Sequence, residues 1–114
     1  MIKRIEVGER FSEVAIHNGV AYLAGQVPTD ENADAYYQTE QVLAEIDKFL
    51  ALAGTDKSKI LMATVYLADM NDYAEMNRAW DKWVAPQNAP PRAAVQAQLA
   101  NPKWKVEIVV TAAI

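Results

Sequence analysis

A chain of 114 residues, 52% hydrophobic and 23% charged, predicts one globular domain spanning residues 1–114. It has no cysteine and one histidine, His17, which excludes thiol nucleophiles, disulfides, iron–sulfur clusters and multi-histidine metal centres within one chain. The net charge of −4 and the scattered lysines and arginines speak against nucleic-acid binding. The start, Met1 to Glu6, lacks a signal-peptide core, and the longest apolar stretch, Ile60 to Ala68, is too short to span a bilayer. A cytoplasmic protein with no membrane association and no bound metal is expected.

Ile2 to Val7 reads as an edge strand. Val14 to His17 and Val20 to Ala24 flank Asn18-Gly19, the dipeptide that supplies both positive-φ positions of a type I′ hairpin turn. From Asp34 to Ala53 the period becomes helical: Thr39, Val42, Leu43, Ile46, Phe49 and Leu50 fall on one face, and Gly54 follows as a left-handed stop. Ile60 to Ala68 reads as a central strand covered on both faces. Asp72 and Glu75 have capping-box spacing before a second apolar stripe of Tyr73, Met76, Trp80, Trp83 and Val84, which Pro86 ends. Arg92 to Leu99 and Lys105 to Ile114 alternate as strands, with Ala100-Asn101-Pro102-Lys103 as the turn between them. The predicted order is βββαβαββ, an α+β sandwich with two helices on one face of the sheet. The other face is expected to carry Arg92, Gln96, Gln98, Glu107 and Thr111 among Ala94, Val109 and Ala113, a mixture that suits a subunit interface containing a site.

Two residues stand out chemically. Arg92 enters its strand behind Ala89-Pro90-Pro91, which holds the guanidinium at a strand mouth, where its planar fork suits a carboxylate. Glu107 lies among valines and an isoleucine, where partial desolvation makes it a plausible base or water-holder. The bland alternatives are a salt-bridging arginine and a glutamate paired across strands. In a plain hairpin Glu107 would face Gln96 and Arg92 would face Thr111, on one face but roughly 13 Å apart. Only a bulge or a neighbouring chain would then bring them to one ligand. His17 reads as a solvated turn residue, and neither Ser12 nor Ser58 sits in a nucleophile elbow. The aromatic stripe of the second helix reads as core.

The segments Val20 to Pro28, Val42 to Gly54, Ala63 to Asp72, Met76-Asn77, Ala89-Pro-Pro-Arg92 with Ala93-Ala-Val95, and Val106-Glu-Ile108 stand in the order of one family. Almost the whole chain resembles the Rid family of reactive enamine/imine deaminases, also called YjgF-like proteins. The tryptophan-rich second helix and Asn101 to Glu107 look closest to its YoaB-like branch. The resemblance implies a chorismate-mutase-like fold and a homotrimer whose sheets line a central barrel, with a site in each cleft between subunits. It implies that Arg92 holds the carboxylate of a 2-imino acid, that Glu107 is associated with the attacking water, and that Gly25 lends backbone to the cleft. Three positions depart from the pattern: the family's tyrosine is Phe11, its serine is Ala24, and its cysteine is Ala94. The expected activity is hydrolysis of reactive imines to 2-keto acids and ammonia without a cofactor. The alternative is a binding protein that takes a metabolite carboxylate in the same cleft without turnover.

Overall fold

The computed structural model covers residues 1–114 and contains a six-stranded sheet backed by two helices. The strands are β1 (Lys3–Val7), β2 (Ser12–His17), β3 (Val20–Leu23), β4 (Ile60–Leu67), β5 (Arg92–Gln96) and β6 (Val106–Ala113). The helices are α1 (Ala35–Leu52) and α2 (Tyr73–Trp83). The expected βββαβαββ order and the one-sided helical layer are both present. No helix is long and apolar enough to cross a membrane.

Local chemistry accounts for the element ends. Asn18 and Gly19 have φ of 51° and 76°, as the β2–β3 turn requires. The Asp34 carboxylate caps α1 by accepting from Tyr37 N at 2.9 Å. Gly54, at φ 85°, closes that helix, with Thr55 N donating to Leu50 O at 2.9 Å. The Asp72–Glu75 capping box does not form: Asp72 makes no side-chain cap bond, and Glu75 pairs with Arg78 instead.

The strand order is β1-β2-β3-β6-β4-β5. The last strand, β6, inserts between β3 and β4 and runs antiparallel to both. β5 lies parallel to β4 at the sheet edge, with α2 as the crossover between them. The expected β5–β6 hairpin is therefore absent, and the pairings of Glu107 with Gln96 and of Arg92 with Thr111 are replaced. Glu107 faces Tyr66 of β4, and Arg92 faces Ala63. β5 also ends at Gln96 rather than Leu99.

The core lies between the sheet and the helices. Val42, Leu43, Ile46, Phe49 and Leu50 of α1, with Met76 and Trp80 of α2, pack on alternate residues of β2, β3, β4 and β6. Burial of each large aliphatic side chain there is worth about 2–3 kcal/mol. β4 lies inside the sheet between β6 and β5, as expected, and the opposite sheet face is open in the single chain. Tyr22, Met62 and Val95 are exposed on it, and Thr64, Tyr66, Val109 and Thr111 are half-exposed.

Candidate active site

Glu107 sits on the open face of β6, between the buried Val106 and Ile108. Just beyond β3 the chain turns so that Gln26 pairs with Ile108 in both directions, Gln26 N to Ile108 O at 2.9 Å and Ile108 N to Gln26 O at 3.1 Å. This clamp lays Gly25 directly against the Glu107 side chain. A Cβ at Gly25 would collide with Glu107 Oε2 and lie 3.0 Å from its Cδ. The buried Gln26 amide donates to Glu13 Oε1 at 3.2 Å and to Ala24 O at 3.0 Å, so β2 is tied into the same corner. The Glu107 carboxylate takes part in none of the three ion pairs, which are Lys48–Glu45, Arg78–Glu75 and Lys103–Glu31. It stands half-buried with its lone pairs free of any protein donor.

Arg92 occupies the other side of the sheet. Ala63 N donates to Pro91 O at 3.0 Å, which fixes the backbone where β5 begins. Arg92 is in register with Ala63, whose side chain belongs to the core, so the guanidinium points toward α2. There it lies 5.0 Å from the centre of the Trp80 ring and 5.9 Å from that of Tyr73. Nη2 donates to the Tyr73 hydroxyl at 3.3 Å, and Nη1 approaches Met76 Sδ at 3.8 Å. No carboxylate of the chain pairs with it. The fork is oriented by aromatic faces and two weak acceptors, and most of its donors are unspent. The Asn77 side chain, followed by the charge of Arg92, holds the Tyr73 hydroxyl below the usual tyrosine range.

The structure thus places the predicted site residues at three locations. Ala24, Gly25 and Glu107 meet at one end of the sheet. Phe11, 63% exposed in the β1–β2 connection, borders a concave surface that also includes Glu13. Arg92 and Ala94 lie together on the helix side of β5, with Ala94 packed against the core. The expected single face for Arg92 and Glu107 is corrected: they point to opposite faces, three residues apart along strands separated by β4. No bulge intervenes between them, since the only register shift of the β4–β6 pair lies at Ile60/Met62. Gln96 and Ala94 leave the open face for the same reason.

Three contributors were not singled out by residue type alone. Glu13 and Gln26 lock the Gly25 corner, and a polar residue beside a strand-end glycine was the available signal. Tyr73 reads as core from its spacing, yet it is 40% exposed with its hydroxyl on Arg92. His17 is exposed, and its side chain hydrogen-bonds to Met1 O and Asn18.

Comparison with known proteins agrees with this geometry. The family model described as Endoribonuclease L-PSP matches residues 1–114. A RutC family protein of Haemophilus ducreyi is 76% identical over 114 residues, covering 100% of this chain and 97% of the relative. The RutC family protein YoaB of Escherichia coli K12 is 52% identical over 113 residues, covering 99% and 98% of the two chains. The crystal structure of a YjgF-family protein from Neisseria meningitidis superposes with a TM-score of 0.97 at 48% identity, covering 99% of this chain and 94% of that one. The YjgF-like resemblance and its YoaB-like branch are borne out, and the chain belongs to the Endoribonuclease L-PSP family.

Proposed function

We propose that this protein hydrolyses small 2-imino acids to 2-keto acids and ammonia in clefts between the subunits of a homotrimer. The observation that carries this reading is the unpaired Arg92 fork, held beside the Trp80 and Tyr73 rings with no carboxylate of its own. Such a cation is built for an incoming carboxylate, which it takes through two parallel charge-assisted bonds. Glu107 is the complementary group, a half-buried carboxylate with no protein donor. Because the two face opposite sides of one sheet, a complete site draws Arg92 from one subunit and Glu107 from the next. The open sheet face, with Tyr22, Met62 and Val95 exposed, supplies apolar surface for such an assembly.

The chemistry asks little beyond positioning. The iminium carbon is electrophilic, and water adds to it as the C=N π pair moves to nitrogen. Glu107 accepts the water proton and returns a proton to nitrogen. The N-protonated carbinolamine then gives its hydroxyl proton to the Glu107 carboxylate, the O–H pair forms the carbonyl, and the C–N bond breaks with its electron pair leaving on ammonia.

The family description names an endoribonuclease, but the net charge of −4 and dispersed cations of this chain favour a small anion over RNA. A second reading, carboxylate binding without turnover, is favoured by Phe11, Ala24 and Ala94, which offer the cleft no side-chain polar group. One assay separates the two: ammonia release while an amino-acid oxidase generates imines in situ, against a buffer-only control. Release above the control that drops about 10²–10⁴-fold in Glu107→Gln supports the deaminase. Release equal to the control, with 2-keto acid affinity intact, supports the binding protein.

A further inference from the structure

We infer that Tyr73 is a second hydrogen-bond donor to the ligand carboxylate, completing with Arg92 a clamp specific for a carboxylate over a neutral group. The inference rests on the proposed role of Arg92 as the carboxylate anchor. Tyr73 opens α2 and Arg92 opens β5, and because the two elements run antiparallel it is the long Arg92 side chain, extended along α2 past Trp80 and Met76, that reaches Tyr73. Arg92 Nη2 donates to the Tyr73 oxygen at 3.3 Å, and this bond uses the oxygen as acceptor. The phenolic hydrogen is therefore left to donate elsewhere, and the half-exposed ring leaves it open to a ligand. A carboxylate seated on the Arg92 fork brings one oxygen alongside Nη2, and hence alongside the Tyr73 hydroxyl. The Asn77 side chain and the Arg92 charge draw electron density from that hydroxyl, which strengthens it as a donor. Phe11, Ala24 and Ala94 offer no side-chain donor, so Tyr73 supplies a hydroxyl that they cannot.

The test is calorimetric titration of pyruvate into the full-length protein, its Tyr73→Phe variant and its Arg92→Ala variant, with thermal melting of each. Tyr73→Phe removes one oxygen from a half-exposed ring and keeps the aromatic face beside Arg92. It is expected to melt with the parent and to weaken pyruvate binding about tenfold, the usual worth of a hydrogen bond to a charged group. In turnover assays, KM is expected to rise by a similar factor with kcat within about twofold, because the bond is made equally in ground and transition states. A loss of less than fivefold in Tyr73→Phe, while Arg92→Ala loses binding, overturns the role of Tyr73 and leaves the anchor intact. Unchanged affinity in Arg92→Ala overturns the proposed function and this inference with it. If Tyr73→Phe unfolds, Tyr73→Leu keeps apolar bulk beside Arg92 with no side-chain donor and is read by the same thresholds.

Discussion

Gly25 and Glu107 are in such close contact that a methyl group on Gly25 would occupy the space of the Glu107 carboxylate. The contact is enforced by the two backbone bonds between Gln26 and Ile108, one residue along from each partner. The atom a Cβ would meet is the free end of a flexible side chain, so Gly25→Ala is relieved by turning Glu107 aside rather than by unfolding. We expect Gly25→Ala to keep its stability within about 1 kcal/mol while imine hydrolysis falls at least about tenfold. Chemical denaturation and ammonia-release assays on the same preparation check both halves.

Arg92 offers a sharper test of ligand chemistry. Arg92→Lys keeps the charge but loses the planar fork and much of the stacking on Trp80, so kcat/KM is expected to fall about tenfold to a hundredfold. Arg92→Ala is expected to lose about a hundredfold or more. Turnover in Arg92→Ala within about twofold of the parent removes Arg92 from the mechanism.

The open sheet face predicts the assembly. Light scattering at micromolar concentration is expected to give a mass of three chains. A single-chain mass contradicts the cleft, because no one chain brings Arg92 and Glu107 to the same ligand.

Gln38 of α1 predicts a purely structural effect. Its buried amide donates to Glu31 O, Ala33 O and Lys103 O, and its carbonyl accepts from Lys105 N at 2.7 Å. It ties α1 to the loop that feeds β6, and removing it strands several backbone groups away from water. Gln38→Ala is expected to cost about 2–4 kcal/mol in urea denaturation, with kcat/KM of the folded protein little changed.

The parts of the fold that could be read from sequence are those decided locally. Asn18-Gly19 specifies its turn, the three- and four-residue steps from Thr39 to Leu50 specify α1, and Gly54 ends it. The alternation along Arg92 to Gln96 was also readable, but not which side would face the helices. That choice depends on the register of Arg92 with Ala63, a long-range parallel pairing with no local signal. Insertion of β6 between β3 and β4 is likewise a tertiary decision, and adjacent strands otherwise default to a hairpin. Arg92 and Glu107 were identifiable as residue types in apolar, strand-end settings. Their placement on opposite faces was not.

That placement makes the shared site directly measurable. Arg92→Ala and Glu107→Gln chains, each inactive alone, can be unfolded together in equal amounts and refolded into mixed trimers. If each site takes Arg92 from one subunit and Glu107 from the next, every mixed ring contains one intact site, and the mixture regains about a quarter of parental turnover. Activity no greater than that of the two variants measured separately contradicts a site shared between subunits.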